Sequence, residues 1–392
     1  MCKYLLAVAI AIVGFALALH SNGARAQGGN PTYLSPEAIA ASPDGSKLYV
    51  GAETAGKVFV VNAADGSIEK SFDAPKPVMG VALNADGSKL FVTQGTPQGK
   101  LLVMDAASGN VEKKIEVGHT PISPVVSPDG STVYVCNRFD DQIGVVDVAA
   151  GEQTKTIEVL REPHAAGISP DGKSLVVANL LPAGSADESY VAANVSIVDT
   201  ASGEVTAIRL PNGSMALRGV AVSPDGKNAY VSHVLARYQL PTTQLDRGWM
   251  NTNALTVVDI PGKKLVNTAL LDNIDRGAAN PWGVAVSPDG KYVAGTHAGT
   301  HEISVIDRAQ LHDRLAKAEA GEQVTEVTSS AQDVPNDLAF LVGIRRRLKL
   351  AGNGPRGLAI AGGKAYAAEY FTGSLGVAAL SPETPHRPKS IS

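Results

Sequence analysis

PISPVVSPDGSTVYVCNRFDDQIGVVDVAAGEQTKTIEV, residues Pro121–Val159, reads as four short strands divided by turns. Pro124–Ser127 is a short apolar run. Ser127-Pro128-Asp129-Gly130 then turns the chain, with proline presetting φ and glycine accepting φ above zero. Thr132–Cys136 is β-branched and aromatic, Ile143–Val148 is a second apolar run, and Ala149-Ala150-Gly151-Glu152 turns again. Gln153–Val159 alternates, as a half-exposed outer strand does. One such unit cannot bury its own faces, so it predicts copies of itself. The turn glycine recurs at Gly45, Gly87, Gly130, Gly172, Gly226, Gly290 and, in degenerate form, near Gly362. The intervals are 42, 43, 42, 54, 64 and 72 residues, three constant and three carrying insertions. A four-stranded repeat of this length is a propeller signature, and seven copies close a ring with few unprotected edges. The expected fold is therefore all-β, a seven-bladed β-propeller of four-stranded antiparallel blades, with one helical insertion in blade six.

Strand order decides which loops share a face. The insertions Leu181–Ala193 in blade four and His233–Asn253 in blade five fall between second and third strands. They therefore lie with the blade-to-blade links, on the face called here the mouth. The SPDG turns take the opposite face, where their aspartates act as turn formers. In blade six, Asp307 caps a helix predicted over Arg308–Ala320, with Leu311 and Leu315 on one side and Gly321 as the stop. This insertion is expected on the face opposite the mouth. An outer strand follows in Leu341–Leu350, where Arg345-Arg346-Arg347 would protect a sheet edge. Gly357–Leu380 supplies three strands of the seventh blade, and either Pro388–Ser392 or Pro31–Leu34 supplies its fourth.

The net charge of −4 argues against a nucleic-acid partner. Met1–Ala26 carries Lys3, an apolar run Leu5–Leu19 and Ala24-Arg25-Ala26, the pattern of a cleavable secretory signal. The mature chain, 27–392, is then a single propeller, periplasmic or secreted, with no transmembrane segment beyond the signal. Cleavage leaves Cys136 as the one cysteine, so no internal disulfide forms, and Cys136 reads as a small core residue on an inner strand. No CxxCH occurs, so the chain has no site for covalent haem. No Ser-His-Asp triad, phosphate-cradling loop or assignable carboxylate pair is legible either.

VYVCN (Val133–Asn137), AYVSH (Ala229–His233) and LFVTQ (Leu90–Gln94) resemble the YVTN-repeat family of β-propellers. Three longer stretches, Leu235–Leu255, Thr296–Asp307 and Asn336–Ile360, resemble something narrower. They are similar to the propeller portion of bacterial proteins in which a YVTN propeller precedes a cytochrome c peroxidase-like haem domain. The resemblance implies redox company, a separate cytochrome c-type haem protein docking on the propeller. It also implies a truncated or split version of the fusion, since the chain ends about where the haem domain would begin.

Aligning the blades on the turn glycine gives two rings of equivalent positions, both expected near the mouth. Seven residues after the glycine stand Ala52, Gln94, Asn137, Asn179, His233, His297 and Glu369. Eight residues before it stand Glu37, Met79, Ile122, His164, Arg218 and Trp282, with Arg356 placed by local alignment in the degenerate seventh repeat. Blades four to seven contribute the chemistry, and the long insertions lie on the same side, where binding loops on a rigid scaffold are placed. The candidate site is His164, Arg218, His233, Trp282, His297, His301, Arg356 and Glu369, with Arg237, Arg247 and Trp249 from the blade-five insertion. His297 and His301, with His233 nearby, have a metal-ligand spacing. The spacing spans a strand end and a glycine loop, however, so hydrogen-bonded histidines are the expected reading and no cofactor is assigned. Function then reads as a non-catalytic exported scaffold that binds a partner protein or a small anionic ligand at its mouth. The rival class is a propeller enzyme of quinoprotein-dehydrogenase or lactonase type, with a metal or cofactor in the mouth.

Overall fold

In six of the seven blades the first turn closes on its aspartate. The Ser42 hydroxyl donates to Asp44 Oδ1 at 2.6 Å and the Ser46 amide donates to the same oxygen at 3.0 Å. Ser127, Asp129 and Ser131 repeat the arrangement at 2.6 and 3.0 Å. The glycines between them have φ of 69° and 74°, which only a residue without Cβ adopts freely. These bonds, that of Ser42 foremost, hold the Asp44 carboxyl down to about 2. The aspartates are turn formers, as expected.

The computed structural model describes residues 33–237 and 250–392. Within them the turns separate seven antiparallel sheets of four strands each. Blade one is Pro36–Ala41, Lys47–Ala52, Lys57–Asn62 and Ile68–Asp73. Blade three, the repeat that decides the fold, is Pro121–Val126, Thr132–Asn137, Gln142–Asp147 and Glu152–Glu158. Second strands are almost wholly buried, because blades pack on both of their faces. Their aromatic residue also ties one blade to the next. Tyr49 of blade one donates to the Ala106 carbonyl of blade two at 3.2 Å, and Tyr366 of blade seven donates to Ala63 of blade one at 2.5 Å. Cys136 lies among Ile122, Tyr134, Ile143 and Leu175, and burial pushes its thiol up to about 12. It is the inert core cysteine the sequence predicts.

Lys389–Ile391 closes blade seven, with Ile391 opposite Leu375 and Lys389 opposite Val377. The C-terminal alternative is the one used.

Two expectations about blade six need correction. The helix forms over Arg308–Glu319, capped by Asp307, whose Oδ1 accepts from the Gln310 amide at 2.9 Å. Its Leu311, Leu315 and Ala318 pack with Tyr230, Leu255 and Val257 of blade five. The rest of the insertion then runs beside the outer strand of blade five, where Asn267 donates to the Ala331 carbonyl at 2.9 Å. It ends against the mouth-side loop of that blade, where Arg237 donates to Asn336 and to the Pro335 carbonyl. The insertion does not stay opposite the mouth, because Phe340, Leu341 and Ile344 bury themselves in the seam between blades five and six. Nor do the three arginines merely guard an edge. Arg345 donates to the Leu271 carbonyl and to Asn273, and Arg346 to the Leu380 carbonyl. Arg347 reaches Glu302 at 2.8 Å and the Arg276 and Gly277 carbonyls. They fasten blade six to its neighbours on both sides.

Candidate binding site at the channel mouth

Six of the seven innermost strands are entered through a left-handed residue: Ser35, Thr120, Glu162, Ala216, Asn280 and Gly354, with φ from 50° to 66°. Each stands two positions before a ring residue, so the bend turns the ring side chain toward the axis. Immediately after the ring residue comes a glycine in four blades. A Cβ on Gly219 would lie 2.2 Å from the Trp282 carbonyl oxygen, one on Gly283 2.5 Å from that of Arg356, and one on Gly357 2.5 Å from that of Glu37. Only glycine permits so close an approach of backbones. The close approach draws Arg218, Trp282, Arg356 and Glu37 together. Glu37, Met79, Ile122, His164, Arg218 and Trp282 line a cavity of about 240 Å³ on the axis. The ring counted eight residues before the turn glycine is the channel lining.

Within the ring, Trp282 is the centre of a cationic stack. Arg218 Cζ and Arg356 Cζ each lie 4.5 Å from its ring centroid, and His164 meets it edge-on at 6.3 Å. Arg356 also lies 3.5 Å from the Tyr370 ring and pairs with Glu37 at 2.5 Å. Arg218 donates to Asn280 Oδ1 at 2.9 Å. Burial pushes the Glu37 carboxyl up against the pull of Arg356. Burial, then the charges of Arg138 and Arg218, lowers His164 to about 3, so its imidazole is neutral near pH 7. Arg138 is itself paired with Glu162 at 2.8 Å. Alignment on the ring positions alone misses Arg138, Glu162, Asn280 and Tyr370. They do have a register to the repeat: Glu162 and Asn280 stand two positions before the ring, and Arg138 and Tyr370 directly follow Asn137 and Glu369, so aligning the flanking positions would have found them.

The other ring lies elsewhere. His233, His297 and Glu369 are fully buried within their blades and do not line the channel. His297 and Glu369 end second strands, His233 lies three residues before the end of its longer one, and each bonds to the adjacent third strand. Asn179 donates to the Ser196 hydroxyl at 3.0 Å, His233 Nε2 meets the Thr256 hydroxyl at 2.7 Å, and His297 Nε2 meets that of Ser304 at 2.7 Å. Glu369 accepts from the Gly352 amide at 2.8 Å and from the Ser374 and Ser390 hydroxyls at 2.6 Å. The missed partners had a sequence signal, a hydroxyl at the third position of NVSIVD, ALTVVD and EISVID. His301, left-handed at φ 57°, accepts the Gly354 amide at 3.0 Å on Nδ1 and so braces the link into blade seven. Arg237 is engaged with the blade-six insertion. Arg247, Trp249 and the leader Met1–Ala26 lie outside the described residues. Among the described residues no three His, Cys, Asp or Glu side chains converge to hold a metal ion, and no helix is long and apolar enough to cross a membrane.

Ring, stack and cavity define a class: a seven-bladed β-propeller with a polar, arginine-rich channel mouth. Within it, the chain is 30% identical over 190 residues to hydrazine synthase subunit beta of Kuenenia stuttgartiensis. The match takes in 47% of this chain and 46% of that subunit, so it spans about half the length of the relative. A chain in the solved structure of Kuenenia stuttgartiensis hydrazine synthase superposes with a TM-score of 0.79 at 27% identity, covering 90% of this chain and 98% of that one. No protein-family model matches the chain. The relationship is homology to that beta subunit, carried on a shared propeller.

Proposed function

We propose that this protein is an exported, non-catalytic propeller subunit that docks partner proteins on the face bearing the channel mouth. The observation that carries the reading is the likeness along nearly the whole fold to a chain of hydrazine synthase, whose related subunit is by name part of a larger assembly. The distribution of exposed apolar side chains supports the choice of face. Phe139, Tyr190, Met215, Met250, Ile274 and Phe371 are exposed, and all lie on mouth-side loops or links. None of the exposed large hydrophobic residues lies in an SPDG turn. Ile68 and Val111 are exposed at the other end, where third strands turn into fourth. More than half of the exposed large apolar side chains among the described residues are nonetheless on the mouth side, and such a concentration marks an interaction surface. The sequence resemblance supports a separate cytochrome c-type haem protein as one partner, and the secretory-signal pattern of Met1–Ala26 supports an encounter in the periplasm or outside the cell.

The test is purification of a tagged chain from its native host under mild conditions, followed by native mass spectrometry and a visible spectrum. A complex of fixed stoichiometry is expected, with Soret absorbance from a partner chain. Recovery of the chain alone, at or below its 40.4 kDa full-length mass, overturns the reading.

A further inference from the structure

The charges lining the channel do not balance. Arg218 and Arg356 share one indole at 4.5 Å each, so the two guanidinium carbons stand no further apart than twice that distance. Arg356 has its carboxylate in Glu37. Arg218 donates to an uncharged amide oxygen, and among the described residues no Asp or Glu lies within ion-pair distance of it. Half-removed from water, a guanidinium so placed lacks the partner that burial ordinarily requires. Across the same cavity, His164 Nδ1 is buried with no hydrogen-bond partner. The imidazole is neutral, so it can donate or accept according to its tautomer.

We infer that the channel mouth is a binding subsite for a carboxylate carried on a flat or apolar group, with the carboxylate on Arg218 and His164 and the body against Trp282. Guanidinium is suited to the charge, because its planar fork donates two parallel bonds to a carboxylate. The sign and size of the charge follow from the lining. Arg356 has Glu37, Arg138 has Glu162, His164 is neutral and Glu53 stands beside Tyr370, so Arg218 is the guanidinium at the mouth with no carboxylate in contact. A monoanion supplies that contact. A dianion such as sulfate would bring surplus negative charge beside Glu37 in a site already short of water. The indole supplies the apolar surface that a bare anion would not use. A carboxylate of this kind comes either from a free organic acid or from an acidic side chain of a docking protein. The second source alone rests on the docking reading above.

The chain has two tryptophans, Trp249 and Trp282, so Trp249→Phe leaves Trp282 as the single emitter. That variant is titrated with benzoate, with benzamide as its neutral isostere, with sulfate, and with a short end-blocked peptide containing Glu beside Phe. Benzoate should change the Trp282 emission saturably while benzamide and sulfate do not. Adding Arg218→Gln should weaken benzoate by about tenfold or more, as loss of a charged hydrogen bond does, with the melting temperature lowered by no more than about 2 °C. Arg218→Lys should keep part of the affinity. Tighter binding of the peptide assigns the site to a partner's side chain, and tighter binding of benzoate assigns it to a free acid. The inference is overturned by benzamide or sulfate matching benzoate, by no response to either carboxylate, or by unchanged affinity in Arg218→Gln. Failure here with the native complex intact leaves the docking reading standing. Benzoate binding by a chain that forms no complex removes the docking reading alone.

Discussion

His297 shows how a residue read as a ligand serves the blade. It is fully buried, its Nε2 is bonded to Ser304, and burial first, then the charges of Arg345 and Arg347, lowers its pKa to about 3. In the unfolded chain it would protonate near 6.5, so between those values the unfolded state binds more protons. Its contribution to stability is therefore present above about pH 6.5 and is lost as pH falls toward about 3. His233, lowered to about 4, acts with the same sign. Blade four places Asn179 at the equivalent position, bonded to Ser196 at 3.0 Å, so His297→Asn keeps the hydrogen bond and removes the titration. Thermal melts should show His297→Asn near wild type at neutral pH and losing less stability on acidification. At neutral pH His297→Leu should be less stable by about 1–3 kcal/mol, because the Ser304 hydroxyl is left without a partner, and its deficit should shrink on acidification because it too lacks the titration. An Asn variant with the wild-type pH slope would remove the account. Repeat alignment made His297 visible as an equivalent position. It could not tell the two rings apart, since a strand's end fixes height in the ring and not whether the side chain faces the channel or the sheet.

At the scale of elements, the outer strand Arg345–Lys349 joins blades as much as it completes one. Glu302, on the adjacent third strand, is 1% exposed and takes Arg347 at 2.8 Å, the half-exposed Arg276, and Lys349 only at 3.9 Å. Arg347 is 7% exposed and also donates to two carbonyls of the link between blades five and six. Arg347→Met should therefore leave Glu302 with the half-exposed Arg276 as its close counter-charge and strand two backbone acceptors, at a cost of about 1–3 kcal/mol. Adding Glu302→Gln should recover part of it, since the buried carboxylate then needs no second partner. Chemical denaturation measures both, and equal stability of Arg347→Met and wild type would refute the role. The helix and the strand of this insertion were legible from Asp307, Leu311, Leu315 and the run to Leu350. Its path was not. Val334, Phe340, Leu341 and Ile344 have no shared period, and what directs them is the seam between blades, which exists only once the ring has formed.

For the whole molecule, glycine spacing alone counts the blades, but the way the ring closes lies outside any spacing. Each blade is one continuous stretch of chain, and blade seven completes itself with Lys389–Ile391. Among the described residues no strand of one terminus is shared with the other, and no chain link crosses from blade seven to blade one. That seam is held by side chains: Leu48, Val50, Ala359 and Leu375 in one cluster, Tyr366 on the Ala63 carbonyl, and the Arg356–Glu37 pair. Arg218 and Arg356, equivalent by repeat, thus differ by place. Arg218 joins blades that the chain already connects, whereas Arg356 reaches across the untethered seam to a carboxylate only 11% exposed. Arg356→Gln should leave Glu37 buried without a counter-charge and cost about 3–5 kcal/mol. Arg218→Gln, with only a neutral acceptor to lose, should cost about 1 kcal/mol. Glu37→Gln added to Arg356→Gln should restore much of the loss. Hydrogen exchange should place the damage, with amides of Pro36–Ala41 and Pro355–Ala361 losing protection before those of blades three and four. Equal costs for the two arginines, or loss of protection spread evenly around the ring, would show that the seam between blades seven and one is no weaker than the other six.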